Sequence, residues 1–203
     1  MREIERRLGV ARSTVSRWVR ELELTEDQQH KLLKEGTVAR SRARSAYYRA
    51  QRLRYQEEGR EEARRRDWLH AAGCMLFWAE GSKHRNVLQL VNADPDVVEF
   101  FMRFVRRYFP GTDQSVRVLC NLFADHESRR FEIEDFWLEA VGLTRNNLTQ
   151  SVVNNYSNAS KRTRINKLPY GTCRVSLYST RAVQHVYGAL QEYGGFHRPE
   201  WLD

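Results

Sequence analysis

A single carboxylate stands near the end of the longest mostly apolar stretch of this sequence. The stretch runs from Trp68 to Lys83, and Glu80 lies directly before Gly81. One carboxylate binds Mg²⁺ poorly, because the ion requires several oxygen ligands. Metal chemistry at Glu80 would therefore need further oxygen ligands. The plainer alternative is a core helix whose last acidic residue reaches solvent.

The same stretch has helical periodicity, and one of its faces is narrow. Small side chains allow a second helix to approach closely, and a glycine after the last turn is typical of a helix end. The pattern predicts a helix that packs against another helix, with the carboxylate at the end of the contact. At about 100° of rotation per residue, the narrow face comprises Ala72, Gly73, Leu76, Ala79 and Glu80.

Basic residues are concentrated in two segments that flank an acidic one. Residues 1–66 contain 18 Lys/Arg and 11 Asp/Glu, whereas residues 67–139 contain 8 and 12. With a net charge of +8, this distribution favours a polyanionic partner, because each phosphate contact releases counterions. The alternative is a protein whose basic character is incidental. Residues 140–191 have no acid and seven bases: Arg145, Lys161, Arg162, Arg164, Lys167, Arg174 and Arg181.

Composition excludes several other classes of protein. No apolar run approaches the roughly 18 residues of a membrane-spanning helix, and no signal peptide is evident. The three cysteines lack disulfide or metal-ligand spacing, so a cytoplasmic location is expected. The six histidines have no ligand spacing either, and no glycine-rich phosphate loop or small-molecule site is evident.

Residues 2–22 carry the most specific motif, which resembles a bacterial helix-turn-helix. A short helix, a turn at Gly9 and a second amphipathic helix are expected, and such a second helix reads bases in the major groove. The alternative is a helical pair that only packs. The family normally has a further helix before Arg2, so a truncated unit or a misassigned start is expected. The predicted DNA-contacting residues are Arg12, Ser13, Thr14, Arg17 and Arg20.

Four regions follow from the distribution of periodic and polar segments. Residues 1–36 are predicted to form the helix-turn-helix unit, with a third helix that Thr25 caps and that ends at Gly36. Residues 37–66, which contain ten arginines, are predicted to form a basic helical connector or, alternatively, a solvated linker. Residues 67–193 are predicted to form the main domain, and residues 194–203 a C-terminal tail.

The main domain is expected to contain a twisted antiparallel sheet, and the fold class is therefore α+β. Its predicted order after the central helix is strand, helix, strand, helix, strand, strand, helix. On the last strand, Val175 and Leu177 are predicted to face the core, which leaves Arg174, Ser176 and Tyr178 for nucleic acid. The predicted elements are 87–92, 94–108, 116–122, 132–141, 148–154, 171–178 and 180–192.

Residues 67–193 resemble the LAGLIDADG homing-endonuclease domain in its divergent, single-motif form fused to a helix-turn-helix. The resemblance lies in Ala79-Glu80-Gly81, in a strand that ends at Asn92 before Asp94-Pro95, and in the closing run from Leu168 to Val175. In that family, two such helices pack together and their terminal acids bind a divalent metal at the scissile phosphates. The sheet lies on DNA.

For this chain the resemblance implies a homodimer, because the sequence has one copy of the motif. Glu80 would be the metal ligand and catalytic acid, with Mg²⁺ as cofactor, if the protein cuts DNA. Ala72, Gly73, Leu76 and Ala79 would form the dimer interface. Lys83 and Lys167 are the candidates for a supporting base, and the basic loop contributes Lys161, Arg162, Arg164 and Lys167 to DNA binding.

Two functions from different classes fit these observations. The first is a sequence-specific double-stranded DNA-binding protein, a transcriptional regulator that needs no cofactor for binding. The second is a homing-type endonuclease that holds a metal with Glu80 from two subunits. A third class, an RNA-binding or protein-interaction module, stays open. The helix-turn-helix favours the first function, and the acid at position 80 favours the second.

Overall fold

The protein, analysed as a computed structural model that describes residues 2–20, 22–154 and 168–202, consists of two compact units. The units are Met1–Tyr47 and Tyr48–Asp203. The first is helical, whereas the second combines helices with a five-stranded sheet. The predicted α+β class is therefore confirmed.

Two short helices begin the first unit, α1 (Arg2–Leu8) and α2 (Arg12–Val19). Gly9 lies between them with a φ of 63°, a left-handed conformation that glycine adopts without strain. The predicted glycine-centred turn between two helices is therefore confirmed.

The third helix, α3 (Glu26–Arg64), is much longer than predicted. The backbone N–H of Gln28 donates to Thr25 Oγ1 at 3.3 Å, and the N–H of Thr25 donates to Gln28 Oε1 at 3.1 Å. This capping box confirms the predicted start. The predicted end at Gly36 is wrong, because the helix continues through it. Glycine inside a helix costs only about 1 kcal/mol relative to alanine, and the good helix formers around it offset that cost. Residues 37–64 are helical, as expected, because α3 continues to Arg64.

The first unit has almost no core among its described residues. Val15 is its one fully buried hydrophobic side chain. The larger apolar side chains of this unit are exposed by more than a third, including Leu8 at 60% and Trp18 at 56%. This unit therefore gains little stability from apolar burial.

The second unit follows the predicted order of elements, with one strand added. The added strand, β1, has three residues, which is too short for an alternating pattern to reveal it. The elements after α3 are α4 (Trp68–Glu80), β1 (Gly81–Lys83), β2 (Leu88–Asn92), α5 (Pro95–Tyr108), β3 (Val116–Phe123), α6 (Arg130–Val141), β4 (Val152–Asn154), β5 (Thr172–Leu177) and α7 (Thr180–Gly194).

The strands form one sheet in the order β1-β2-β5-β3-β4. The first four strands pair antiparallel, as predicted, but β4 runs parallel to β3. The chain leaves β3, passes through α6 and returns in the same direction, and such a helical crossover produces a parallel pair. The predicted antiparallel sheet is therefore mixed, with one parallel pair at this edge.

The core of the second unit lies on one face of the sheet. Alternate residues of the central strands are fully buried there, for example Leu90, Val118 and Val175, and the apolar sides of the helices join the same core. The second unit's part of α3 crosses α7 closely at Gly59 and Gly188, where an added Cβ would overlap the facing backbone. The remaining strand residues point to the opposite face.

Candidate nucleic-acid interface

Four of the residues predicted to contact DNA from the helix-turn-helix lie on α2, and Arg20 directly follows its last residue. Arg12, Ser13, Arg17 and Arg20 are exposed, whereas Thr14 is half-buried. The buried Val15 fixes the opposite side of the helix within the unit. Three guanidinium groups and a hydroxyl therefore share an outward-facing surface, and these groups bind base edges and phosphates.

In the second unit, the sheet face opposite the core is polar at its centre. Val175 and Leu177 lie in the core, as predicted, and the intervening side chains of β5 lie on the other face. Strand pairing places Ser82, Gln89, Ser176 and Arg117 side by side across four strands. The next row contains Arg174, between Val91 and Leu119.

Hydrogen bonds between neighbouring strands organise this polar face. Ser176 Oγ donates to Gln89 Oε1 at 3.2 Å, and Gln89 Nε2 donates to Ser82 Oγ at 2.9 Å. On the other side of Arg174, Asn121 Nδ2 donates to Thr172 Oγ1 at 3.2 Å. These bonds hold amide and hydroxyl side chains in fixed orientations, which suits contacts with phosphates or base edges. Ser176 is 4% exposed, so its role on this face is to orient Gln89.

Arg174 stands at the centre of this face without an acidic partner among the described residues. Its Nη2 lies 3.5 Å from Asn121 Oδ1, and its buried Nε has no hydrogen-bond acceptor among those residues. A guanidinium group without a carboxylate partner carries an uncompensated positive charge, which a bound anion would neutralise. Arg174 is therefore suited to receive a phosphate.

None of the five described strands contains an acidic residue. Their charged residues are Lys83, Arg117 and Arg174. The face is therefore electropositive, and nothing on these strands repels a polyanion. The sequence-based prediction named Arg174 and Ser176 but missed Gln89, Arg117 and Asn121. Strand alternation around the buried Val116 and Val118 could have revealed Arg117.

The predicted contact residue Tyr178 follows β5 and is 65% exposed. It lines a shallow depression together with His84, Arg85 and Gln89, from the β1–β2 connection and β2. An exposed aromatic ring beside a guanidinium group can stack on a base. The depression extends the polar face toward its outer edge.

The helix face predicted for dimer contacts is only partly available on the surface. Ala79 and Glu80 are exposed, and Ala72 and Leu76 are half-buried. Gly73, by contrast, is buried against α5, where an added Cβ would overlap the ring of Phe104. Its small size therefore serves a contact within the same chain.

Lys83 closes the carboxyl end of α4. Its Nζ donates to the backbone carbonyls of Phe77, Trp78 and Gly81, at 2.9, 2.8 and 2.6 Å. Burial lowers the pKa of Lys83, while the nearby Glu80 carboxylate acts in the opposite direction. Three donors on three carbonyls use the full capacity of the ammonium group. Lys83, a candidate for a catalytic base, is thus engaged with the helix end.

These contacts also test whether a divalent metal fits beside Glu80. The backbone oxygens next to the carboxylate already accept hydrogen bonds from a cationic group. A hard cation at this place would have to compete with the ammonium for the same oxygens. Within a single chain, the residues described around Glu80 therefore do not fit a metal site.

Several predicted contact residues cannot be placed or have other partners. Lys161, Arg162, Arg164 and Lys167 lie outside the described residues. Of the other basic residues, Arg145 pairs with Glu134 and Asp135, and Arg181 pairs with Glu58.

Comparisons of the chain with protein-family models, with curated proteins and with solved structures find no match. Among the described residues, no three His, Cys, Asp or Glu side chains are grouped as a metal site requires. In the same part of the chain, no helix has the length and apolar character needed to cross a membrane.

Proposed function

We propose that this chain is a sequence-specific double-stranded DNA-binding protein that regulates transcription and dimerises through α4. The observation that carries the proposal is the acid-free polar face of the sheet, with Arg117 and Arg174 among ordered amide and hydroxyl groups. Guanidinium groups bind phosphates strongly, and fixed polar groups beside them confer orientation.

The outward surface of α2 supports the sequence-specific part of the proposal. Arg12 and Arg17 are exposed on a short helix that follows a glycine turn, and Arg20 is exposed directly after it. An arginine in the major groove can bind guanine O6 and N7 with two hydrogen bonds, which distinguishes that base from the others. This surface would supply base contacts, and the sheet face would supply contacts with the backbone.

The partly exposed side of α4 supports dimerisation. Ala72, Leu76 and Ala79 lie there, next to the exposed Glu80. Small side chains permit close packing of a twofold-related helix, as the resemblance to LAGLIDADG domains implies. A dimer would join two sheet faces and bind two related half-sites.

The endonuclease is the second candidate, and the exposed carboxylate of Glu80 is the observation that favours it. Such an enzyme would need a metal held by Glu80 from two subunits. The ammonium of Lys83 already occupies the carbonyls beside that carboxylate. This arrangement favours binding without cleavage.

Selection from a random duplex library tests the proposal. The full chain is incubated with the library, bound DNA is enriched and sequenced, and affinity for the enriched site is measured for three proteins. Arg17→Ala is expected to weaken specific binding by about 1–3 kcal/mol if Arg17 reads a base. Arg7→Ala serves as the control, since Arg7 pairs with Glu3 in the same unit.

Replacing the acid tests cleavage separately. Glu80→Gln is expected to leave DNA binding intact, and neither this variant nor the original chain should cut the enriched site in Mg²⁺.

For the selection experiment, no sequence enrichment, or equal losses of affinity from Arg17→Ala and Arg7→Ala, would contradict specific recognition through α2.

A further inference from the structure

An exposed basic segment lies within α3, in the part that belongs to the first unit. Every residue from 37 to 47 is exposed, around the whole circumference of the helix. Three of these residues are arginines, Arg40, Arg42 and Arg44. The sequence between Glu35 and Glu57 contains six arginines and no acidic residue.

The charges of this segment disfavour an isolated helix. Arg40 and Arg44 are four residues apart, so they are neighbours on the helix surface and repel each other. Arg40 donates to the carbonyl of Gly36 and lies 3.5 Å from Thr37 Oγ1, and neither group carries a compensating negative charge. A helix that is polar all round and lacks compensating ion pairs is poorly stabilised by its own chain.

Arginines near the carboxyl end of α3, and Arg65 directly after it, are paired with acids. Arg60 pairs with Glu57 at 3.3 Å, Arg64 with Glu192 at 3.0 Å, and Arg65 with Glu62 at 2.9 Å. The segment from 37 to 47 therefore differs from the carboxyl end of the same helix in having positive charge without acidic neighbours in sequence. A polyanion that binds this segment would provide the negative charge that neighbouring residues in the sequence do not.

The angular positions of the side chains indicate which polyanion fits. At about 100° per residue, Arg40 and Arg44 lie on one flank, and Arg42 lies on nearly the opposite flank. Ala43 and Ala46 lie between the two flanks, and Tyr47 lies at the edge of this side, next to Arg40. A helix in the DNA major groove has phosphates on both sides and base edges in front of it, and the groove is wide enough for a helix.

We propose that residues 37–47 of α3 bind the major groove of double-stranded DNA, with Arg40, Arg42 and Arg44 on the phosphates of both strands. This inference rests on the proposed DNA-binding function and adds a third contact element to α2 and the sheet face. A-form RNA has a deep and narrow major groove that does not admit a helix, so duplex RNA does not fit this surface.

The test measures the salt dependence of binding to the enriched duplex for the full chain and two triple variants. The variant R40Q/R42Q/R44Q removes three exposed arginines. The variant R60Q/R64Q/R65Q removes the same charge from ion-paired positions and is the matched control. Each lost phosphate contact reduces the magnitude of the slope of log affinity against log salt by about 0.9. For R40Q/R42Q/R44Q, the magnitude of this slope should therefore be smaller by between about two and three.

The first variant is also expected to bind at least tenfold more weakly at about 0.1 M salt, whereas the control should stay close to the original slope. Amide hydrogen exchange gives a second readout, because the amides of residues 37–47 should become protected on DNA. Since these side chains are exposed, the thermal unfolding midpoint should not change, which separates lost binding from lost folding.

Three results would overturn the inference. If the original chain does not bind duplex DNA, the proposed function fails together with it. If the chain binds but R40Q/R42Q/R44Q keeps the original slope, only the inference about α3 fails. If duplex RNA is bound as tightly as duplex DNA, and the variant loses both equally, the assignment to the DNA major groove is wrong.

Discussion

The two units of this protein use their side chains in opposite ways. The second unit buries a continuous core, which includes Phe104, Trp137 and Leu190, whereas Val15 is the one fully buried hydrophobic residue among the described residues of the first. Burial of large apolar side chains supplies most of the stability of a domain. The second unit is therefore the stable scaffold, and the first unit is organised as an exposed, charged surface.

The surroundings of particular arginines also differ between the units. In the second unit, Arg130 and Arg145 bind the buried Glu134, and Arg181 binds Glu58. In the first unit, Arg42 and Arg44 are exposed in a segment without acids. The comparison teaches that arginine number alone does not identify a nucleic-acid surface. What distinguishes the candidate surface is arginine without an acidic partner.

The largest expected effect is a loss of stability that distinguishes the core of the second unit from that of the first. Phe104→Ala removes a fully buried ring that packs on Gly73 and on neighbouring aromatic rings, so the free energy of unfolding should fall by about 3–5 kcal/mol. Leu33→Ala, in the first unit, removes a side chain that is 66% exposed and should change it by less than about 0.5 kcal/mol. Urea unfolding measures both. Similar losses would show that the first unit has a core of comparable strength.

The second prediction concerns pH and the buried histidine pair of the second unit. The Nε2 atoms of His70 and His185 lie 3.0 Å apart, and His70 Nδ1 lies 2.8 Å from the Tyr193 hydroxyl. Burial lowers the pKa of His70 to about 4, and burial together with the facing His70 and Arg181 lowers the pKa of His185 to about 3. Both side chains are therefore neutral in the folded protein at pH values well below their ordinary pKa of 6.5.

Since these pKa values are lower in the folded state, their contribution to stability is complete above about pH 6.5 and is lost as the pH falls toward 4 and then 3. Between pH 7 and pH 5.5, the free energy of unfolding should fall by about 2–3 kcal/mol. Denaturant unfolding at several pH values measures this slope, and H185Q should reduce it by about half. A free energy of unfolding that stays constant between pH 7 and pH 5.5 would contradict the claim that both histidines are neutral in the folded protein.

The third prediction concerns the carboxylate that joins α6 to the loop before β4. Glu134 is 2% exposed and accepts hydrogen bonds from Ser151 and Arg130 and from Arg145, at 2.7, 2.9 and 2.9 Å. Burial alone would raise the pKa of Glu134, but these donors together lower it. Because the two arginines are partly exposed, Glu134→Ala should cost about 2 kcal/mol rather than the larger penalty of a fully buried pair.

Glu132→Ala is the matched control on the same helix. Glu132 forms an exposed pair with Arg129, and such pairs contribute less than about 1 kcal/mol. Unfolding in urea at pH 7 compares the two variants. Equal and small losses would mean that Glu134 does not anchor the loop.

The smallest expected effect tests the helix end beside Glu80. Lys83→Met removes the cation that binds three carbonyls at the end of α4, and the free energy of unfolding should fall by about 1 kcal/mol. Lys83→Arg keeps the charge and should lose less. If Lys83→Met leaves stability unchanged, the ammonium does not stabilise the helix end.

The sequence was sufficient to predict the order of long elements, because α5, β3 and α7 have clear periodicity and caps or alternation. It was insufficient at Gly36, where favourable neighbours carry the helix through a residue that usually ends one. It also missed β1 and the parallel pairing of β4, which depend on the sheet as a whole.

The candidate site shows the same limit. Arg174 and Ser176 could be assigned to the outer face from alternation within β5. Their neighbours Gln89 and Asn121 could not, because strand register joins residues that are far apart in the sequence. The three carbonyl contacts of Lys83 likewise depend on the turn of β1 back toward the end of α4.

The most direct test of the central claim uses fragmented DNA from the protein's own genome. The full chain is incubated with the fragments and Mg²⁺, bound fragments are recovered, and both occupancy and new DNA ends are mapped by sequencing. We expect enrichment at a few sites without new ends at those sites. Breaks at the bound sites that disappear in Glu80→Gln would instead show an endonuclease, and uniform recovery of all fragments would contradict sequence-specific binding.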